Sequence, residues 1–306
     1  MSFDVVHTEK RIAQSAGVSG PRNAEDYDPE KELDANRYAL IVQQSKVPII
    51  ALFNAAVKED TSFLLPLMLL ATIRTMRRIP RTFFIRNGTE YERYVFKTIH
   101  WWARRICRIG RIRLQVSGAE KIRPDRAYLF VSNHRSPADI PVLFDAIPQN
   151  AAFVANGMFR MIPAFSFWMR ASGTVFIEQG NQKAELAAFK TMIRRLKQGR
   201  SLILFPEGHT HQGPGIDTFS RGGIYAAVLA GVPIVPVCLS GTDKVIRPGS
   251  LHINRRSRVI VEFGAPIETR HLGMAAKKNI DTILHDTIAG MLDRQTSKQG
   301  GRPRQA

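Results

Sequence analysis

Two residues that could carry acid–base chemistry, His134 and Asp139, stand five positions apart in the stretch FVSNHRSPADIPVL. An apolar, strand-type run precedes them and a helix-type run follows, so they are predicted to lie in a strand-to-helix turn. In such a turn the carboxylate can bond one imidazole nitrogen and leave the other free to accept a proton. The pair therefore favours a general base that acts on a hydroxyl group.

The same turn also has a purely structural interpretation. Ser136 suits a helix N-cap, and Pro137 suits the first helical position, which places Asp139 in the first turn. Ser136 and Asp139 also have the capping-box spacing, in which an acidic side chain accepts backbone N–H groups. The pattern by itself leaves both interpretations open.

A second polar segment follows another apolar run, which ends at Phe205 and Pro206. Glu207 and Gly208 come next and supply a carboxylate and a flexible backbone donor. Because the carboxyl ends of parallel strands meet at one edge of a sheet, this segment is expected beside His134.

His209 and His211 flank Thr210 in that segment and raise the question of a metal site. No second carboxylate or cysteine cluster accompanies them, and alternate residues on an extended loop diverge, so no metal is predicted. Both histidines are expected to face solvent. Cys107 and Cys238 have no metal-ligand spacing, which fits a reducing, cytosolic setting.

The elements that must position these residues are short strand-type runs that alternate with helix-type runs. This alternation predicts an α/β fold with a mostly parallel central sheet flanked by helices. Helices are predicted up to Gly199 and Gly231, both suited to a C-terminal cap. The seven strand-type runs are RLQVSG, AYLFVS, AAFVAN, GTVFIE, SLILFP, PIVPVCL and RVIVEFG.

Composition divides the chain into four predicted regions. They are a polar, mobile arm (1–40), a basic helical region with amphipathic membrane-interface helices (41–112), the α/β domain (113–290) and a basic, disordered tail (291–306).

The membrane-interface prediction for the second region rests on two segments. The apolar run 62–73 has 12 residues, against the roughly 20 needed to cross a bilayer, and arginines follow it. The segment 91–114 separates apolar from basic residues at helical spacing, which suits an anionic headgroup interface. Packing of this helix on its own domain is the alternative. Its apolar face comprises Val95, Ile99, Trp102, Ile106 and Ile109, and its basic face Arg93, Lys97, Arg104, Arg108 and Arg111.

The charge balance indicates a polyanionic partner. There are 44 Lys and Arg residues against 26 Asp and Glu, a formal charge of +18. A nucleic-acid-binding protein is disfavoured, because no helix-turn-helix, zinc-finger or RNA-binding aromatic signature is present. An anionic membrane surface is the expected partner, and the chain is expected on the cytoplasmic face of the cell membrane as a peripheral or monotopic protein.

Several segments together resemble a known family. NHRSPAD resembles the Asn-His-x4-Asp motif of the glycerolipid acyltransferases related to bacterial 1-acyl-sn-glycerol-3-phosphate (lysophosphatidic acid) acyltransferase, and FPEG resembles another of its blocks. GTVFIEQ, VPIVPV, FSRGG and VEFGAPI resemble further family segments in the same order, over roughly residues 94–270.

The resemblance implies transfer of a fatty acyl group from an acyl-CoA or acyl-carrier-protein thioester to the hydroxyl of a lyso-lipid, with no cofactor. His134 would take the hydroxyl proton, Asp139 would orient His134, and Glu207 with Gly208 would help to position the acceptor. The other residues expected to bind substrate are Phe205, Pro206, Gln179, Thr210 and Arg221. Transfer would be direct, without an acyl-enzyme. The residues agree, because the chain has no Gly-x-Ser-x-Gly nucleophile motif.

Two departures concern the acceptor. Gln179 and Thr210 stand where family members that act on phosphate-bearing acceptors usually have arginine, whose guanidinium binds phosphate through two charge-assisted hydrogen bonds. Arg221, Lys183 or Arg170 could substitute for them. Alternatively the acceptor carries no phosphate, as in a lyso-aminolipid or a glycolipid, or the chain is a non-catalytic lipid-binding protein.

Overall fold

A computed structural model describes residues 64–300, except Ile162, Gln212, Pro214 and the segment 247–252. The predicted arm (1–40), the first part of the helical region (41–63) and the end of the predicted tail (301–306) lie outside the described residues.

The described segments form helices and strands in the predicted alternation. The helices are α1 (Leu64–Met76), α2 (Ile79–Phe84), α3 (Gly88–Ile109), α4 (Asp139–Ala146), α5 (Pro163–Ser172), α6 (Gln182–Lys197), α7 (Arg221–Ala230), α8 (Met274–Lys278) and α9 (Ile280–Gly300). The strands are β1 (Arg113–Ser117), β2 (Leu129–Ser132), β3 (Ala151–Asn156), β4 (Val175–Ile177), β5 (Ser201–Leu204), β6 (Ile234–Ser240) and β7 (Arg258–Phe263).

The strands form one seven-stranded sheet in the order β1-β7-β6-β2-β5-β3-β4. Each neighbouring pair is parallel except β6 and β7. Every residue of β2, β5 and β6 is buried, because helices cover both faces of the sheet at its centre. The predicted mostly parallel α/β fold is confirmed.

The sheet separates two apolar clusters, because successive side chains of a strand point to opposite faces. Phe130 of β2 joins Phe153 and Phe263 in the first cluster, whereas Leu129 and Val131 join the second. Helix α4 contributes to the first cluster, and α6, α7 and α9 contribute to the second.

The topology places the predicted site at one edge of the sheet. Strand β2 lies between β5 and β6 and runs parallel to both, so the carboxyl ends of all three strands meet there. His134 follows β2 and Glu207 follows β5. Ligands of open parallel sheets bind at such an edge.

Helix α3 begins after Asn87, whose side chain accepts two backbone N–H groups of the first turn. Its apolar face is packed inside the protein: Val95 and Ile99 form a buried cluster with Trp168 of α5. Its basic residues lie on the exposed side. The packing alternative therefore holds for α3, and its predicted role as a membrane-interface helix is not confirmed.

The predicted disordered tail is wrong for residues 291–300, which belong to α9. Met291 and Leu292 are buried in the second cluster, and Gln295 donates to Glu262 Oε2 over 3.0 Å. The polar composition concealed these contacts, because only one side of the helix packs on the domain. Among the described residues, no helix combines the length and the apolar character that crossing a bilayer requires.

Candidate active site

The centre of the site is a direct contact between His134 and Asp139. His134 Nδ1 lies 2.8 Å from Asp139 Oδ2. The Asp139 side chain is fully buried, whereas that of His134 is 18% exposed. Because an ionised carboxylate only accepts hydrogen bonds, the contact places the imidazole proton on Nδ1 and leaves a lone pair on Nε2.

Asp139 also organises the turn. Its Oδ2 atom accepts the backbone N–H of Arg135 over 2.7 Å and that of Ser136 over 2.9 Å. The capping and dyad interpretations of this turn are therefore both met by one oxygen. Helix α4 begins at Asp139 itself, later than the predicted cap at Ser136 implies. Pro137 and Ala138 form a separate turn, which the Asp139 N–H closes by donating to the Ser136 carbonyl over 3.0 Å.

One face of the imidazole is covered by Phe205. The two rings are nearly parallel, at 12°, with centroids 4.1 Å apart. Phe205 in turn stacks on Phe153 of β3, with centroids 5.6 Å apart. The predicted substrate-binding residue Phe205 thus lies in the site, where it fixes the plane of the base.

Glu207 lies next to the turn that carries His134 and Asp139. Its Oε1 atom accepts the backbone N–H of His134 over 2.8 Å, and its Oε2 atom accepts that of Asp217 over 3.3 Å. Burial raises the pKa of this carboxyl group, and the two N–H groups partly oppose that shift. Glu207 therefore positions the base through the backbone, and its direct contact with an acceptor stays a prediction.

The chain turns sharply at Gly208, directly after Glu207. Gly208 has φ +73°, a conformation that favours glycine, and its N–H donates to the Phe205 carbonyl over 3.2 Å. The flexible backbone donor predicted at Gly208 is therefore engaged within the turn. Pro206 is buried, and its carbonyl accepts the N–H of Ser220 over 2.9 Å.

The two positions that lack arginine both lie at the site. Thr210 Oγ1 is 3.4 Å from His134 Nε2. Gln179 is beside Gly208, where a Cβ atom added to the glycine would lie 3.6 Å from Gln179 Nε2. Arg221 begins α7, with its guanidinium 5.0 Å from the ring centre of Tyr225.

The positions of His209 and His211 differ from the prediction. His209 and His211 do not diverge: both approach Asp217, a carboxylate that returns from later in the same loop. His209 does face solvent, as predicted, with 61% of its side chain exposed, whereas His211 is only 20% exposed.

Sequence reasoning missed Asn133. This buried side chain donates to the Leu239 carbonyl over 2.9 Å and accepts the Leu239 N–H over 2.8 Å. It ties the end of β2 to β6 immediately before the base. Its position beside His134 in the motif was the available signal, since a buried amide at a strand end needs backbone partners.

The two cysteines lie in the protein interior. Burial raises the pKa of both thiols, Cys107 and Cys238, to about 12. A protonated, buried thiol is a poor nucleophile, which fits a site that works through the imidazole.

An apolar pocket lies among α1, α3, α4 and α5. Its wall includes Ile99, Trp102, Trp168 and Phe144. Phe144 meets Phe153 edge to face, with centroids 4.8 Å apart. Phe144, Phe153 and Phe205 thus form a row of rings between this pocket and His134.

Comparison with known proteins agrees with this geometry. The family model described as Acyltransferase matches residues 113–240, which contain the dyad, Glu207 and the strands that carry them. This segment of the chain is therefore similar to the acyltransferase family.

Two curated relatives that resemble this chain differ in the acceptor that their names state. The 1-acyl-sn-glycerol-3-phosphate acyltransferase of Escherichia coli is 30% identical over 47% of this chain and 58% of its own length. The lyso-ornithine lipid O-acyltransferase of Pseudomonas aeruginosa is 33% identical over 46% of this chain and 52% of its own length. This chain therefore spans little more than half the length of these relatives.

The likeness to a solved structure extends beyond the matched segment. The crystal structure of the 1-acyl-sn-glycerophosphate (LPA) acyltransferase PlsC from Thermotoga maritima superposes with a TM-score of 0.65 and 24% identity. The match covers 77% of this chain and 96% of that one. At this identity the likeness concerns the fold.

Proposed function

We propose that this protein is an acyltransferase that moves a fatty acyl group from a thioester to the free hydroxyl of a lyso-lipid. One observation carries the proposal: His134 Nδ1 bonds a buried Asp139 carboxylate over 2.8 Å, which leaves Nε2 as a base at the carboxyl edge of the sheet. The match of residues 113–240 to the acyltransferase family model supports it.

The chemical step needs no protein nucleophile. Nε2 of His134 takes the proton of the lipid hydroxyl while its oxygen attacks the thioester carbonyl. The C–S bond then breaks, and the thiolate takes the proton from the imidazolium. Thr210 Oγ1 stands 3.4 Å from Nε2, where the lipid hydroxyl would replace this long contact. Asp139 stabilises the imidazolium during the step.

The acyl donor is an acyl-CoA or an acyl-carrier-protein thioester. The apolar pocket beyond Phe144 suits a hydrocarbon chain, because its wall includes Ile99, Trp102 and Trp168. The rings of Phe144, Phe153 and Phe205 pack on one another between this pocket and His134, so they form an apolar wall beside the base.

For the acceptor, a lyso-phospholipid of the 1-acylglycerol-3-phosphate type is one candidate, in line with the relative from E. coli. An acceptor without phosphate, such as a lyso-aminolipid, is a second candidate. Gln179 and Thr210 favour this second candidate, because neither side chain offers the charged, bidentate contact that arginine makes with phosphate. The lyso-ornithine lipid O-acyltransferase of P. aeruginosa is a relative of this second type.

Attachment to an anionic membrane surface is part of the proposal. Phe83 and Phe84 at the end of α2 are 75% and 81% exposed, and Arg81 and Arg86 beside them are exposed as well. Exposed aromatic rings next to basic side chains suit the headgroup region of an anionic leaflet. We place the protein on the cytoplasmic face of the cell membrane as a peripheral or monotopic protein.

The test is acyl transfer by the full purified chain, given both kinds of thioester and a panel of lyso-lipids with and without phosphate. Turnover should fall roughly 10²- to 10⁴-fold in His134→Ala, the range expected for loss of a general base. The matched control is His285→Ala, a partly exposed histidine on α9. Undiminished turnover in His134→Ala would exclude the dyad, and no turnover with any pair would favour a lipid-binding protein.

A further inference from the structure

Three side chains of metal-ligand type meet in the loop between β5 and α7. His209 Nε2 lies 3.1 Å from Asp217 Oδ2, and His211 Nδ1 lies 4.0 Å from the same oxygen. One ligand atom from each residue lies within 4.8 Å of the other two. No step of the proposed acyl transfer uses these groups.

The separations are close to those of a bound ion. A tetrahedral zinc ion at about 2.0–2.1 Å from its ligands holds them about 3.3 Å apart. His209 and Asp217, 3.1 Å apart, are close to that separation. The remaining gaps close with shifts of about 0.7 to 1.5 Å, within the reach of a side-chain rotation.

The backbone N–H groups of two of the three residues are held by His134 and Glu207. His211 N–H donates to the His134 carbonyl over 2.9 Å, and Asp217 N–H donates to Glu207 Oε2 over 3.3 Å. Asp217 Oδ1 accepts the N–H of Thr218 over 2.7 Å, which turns Oδ2 towards the histidines. Such supporting hydrogen bonds hold metal ligands in orientation.

The path of the loop explains how Asp217 returns. Gly208 and Gly215 have φ values of +73° and +78°, so the chain turns sharply at both. Arg135, next to the base, donates from its guanidinium to the Gly215 carbonyl. The loop is thus held against the dyad.

We infer that His209, His211 and Asp217 bind one divalent cation of the zinc class beside the dyad. Two imidazoles and a carboxylate suit Zn²⁺ and its first-row neighbours, whereas Mg²⁺ and Ca²⁺ prefer oxygen ligands throughout. His209 is 61% exposed, so the position left open by the three protein ligands faces solvent and can take an outside ligand.

The open position suggests what the cation does. Thr210 lies between the two histidines and stands where the resembled family has a phosphate-binding arginine. A cation held by its neighbours restores positive charge there and binds an anionic oxygen of the acceptor headgroup. This role rests on the proposed acyltransferase function, whereas metal binding does not.

Binding is measured first, on full-length protein stripped with a chelator and titrated with Zn²⁺ by calorimetry and with Co²⁺ by absorption. We expect one ion per chain, in the wild type and also in His134→Ala. Affinity should fall by at least about 10- to 100-fold in His209→Ala and in Asp217→Asn. Asn at 217 can still accept the Thr218 N–H, so the loop keeps its support.

The matched control is His285→Ala, which removes a histidine that contacts Asp286 over 3.0 Å on the surface of α9. This variant should bind the ion as the wild type does. Equal Zn²⁺ affinity in the wild type, His209→Ala and Asp217→Asn would overturn the site, as would the absence of any Co²⁺ absorption change on titration.

The headgroup role is measured next, with lysophosphatidic acid and an uncharged monoacylglycerol as acceptors. Zn²⁺ should lower KM for lysophosphatidic acid about 10-fold or more relative to monoacylglycerol, and Asp217→Asn should abolish the difference. An unchanged KM ratio in metal-loaded protein would overturn the role and leave the site standing. Metal binding without transfer to any acceptor would overturn the proposed function instead.

Discussion

The backbone N–H of His134 donates to Glu207 Oε1 over 2.8 Å, so the residue proposed as the base is joined to the loop that follows the neighbouring strand. The same carboxylate accepts the N–H of Asp217 ten residues further along. A single buried side chain thus holds together the two segments that form the site. Its effect on activity is therefore expected to be large without any contact to substrate.

Replacement of Glu207 by Gln separates positioning from binding. The amide oxygen replaces one acceptor only, so the turn that carries His134 should shift. A misplacement of about 1 Å costs on the order of 100-fold, so we expect kcat to fall about 10- to 100-fold with KM nearly unchanged. Steady-state kinetics measures this.

The control for Glu207→Gln is Glu185→Gln, because Glu185 also accepts a backbone N–H, from Gly180 over 2.9 Å, on an exposed turn. A higher KM with kcat intact in Glu207→Gln would contradict the positioning role and would support the direct acceptor contact that the family resemblance implies.

Substitutions of Asp139 can divide its two roles. Its Oδ2 atom accepts three hydrogen bonds. Asn can place its carbonyl oxygen there, so Asp139→Asn should fold normally but lose at least about 10-fold in kcat, because a neutral amide stabilises the imidazolium less. Asp139→Ala leaves two backbone N–H groups unpaired and should also lower the free energy of unfolding by at least about 1 to 3 kcal/mol.

Chemical denaturation and initial rates measure the two Asp139 effects separately. If Asp139→Asn kept full activity, the aspartate would be a helix-capping residue alone.

Gln179→Arg tests whether the side chain at this position contacts the acceptor headgroup. Gln179 lies beside Gly208 at the site, so a guanidinium there should bind phosphate through two hydrogen bonds. We expect KM for lysophosphatidic acid to fall about 10-fold relative to an uncharged acceptor, which corresponds to about 1.4 kcal/mol. Gln182→Arg, an exposed position at the start of α6, adds the same charge outside the site and should not change this ratio. Equal ratios in both variants would place the headgroup elsewhere.

Membrane attachment is tested with the exposed rings of α2. Each of Phe83→Ala and Phe84→Ala should weaken binding to anionic vesicles about 10-fold or more, since burial of a phenylalanine side chain contributes about 1.5 to 3 kcal/mol. Vesicle sedimentation measures the effect. Met274→Ala is the control, because Met274 is equally exposed, at 81%, at the start of α8. Added salt should weaken binding further, as it screens the arginines. If neither the substitutions nor salt changed vesicle binding, this surface would be excluded as the membrane contact.

The two buried thiols should be unreactive in the folded protein. With pKa values raised to about 12, Cys107 and Cys238 stay protonated at neutral pH and lie inside the protein. We expect no reaction of the folded chain with a disulfide reagent and reaction of both thiols after denaturation, followed by absorbance. A Cys107→Ala, Cys238→Ala variant should keep its kcat. Rapid labelling with loss of activity would instead indicate a thiol nucleophile.

Much of the fold and the centre of the site follow from the sequence. The seven strand-type runs each became a strand, because buried parallel strands are short, apolar throughout and bounded by turn residues. Once the strands were known to be parallel, the meeting of His134 with Glu207 was predictable, because both follow the carboxyl end of a strand.

Other features depended on contacts that no local pattern encodes. An apolar helix face is the same whether it meets lipid or protein, so the packing of Val95 and Ile99 against Trp168 could not be read from periodicity. The return of Asp217 to His209 depends on two glycines with positive φ in a loop without regular structure. Helix α9 continued past residue 290 because a few buried residues outweighed a polar composition.

The stacking of Phe205 on His134 restricts the directions from which a reactant can arrive. Phe205 covers one face of the imidazole, with the ring centroids 4.1 Å apart, and Nδ1 bonds the buried Asp139 carboxylate. A reactant can therefore reach the lone pair of Nε2 only from the edge of the ring. An alcohol must therefore approach in the plane of the heterocycle, with its oxygen already aligned for attack.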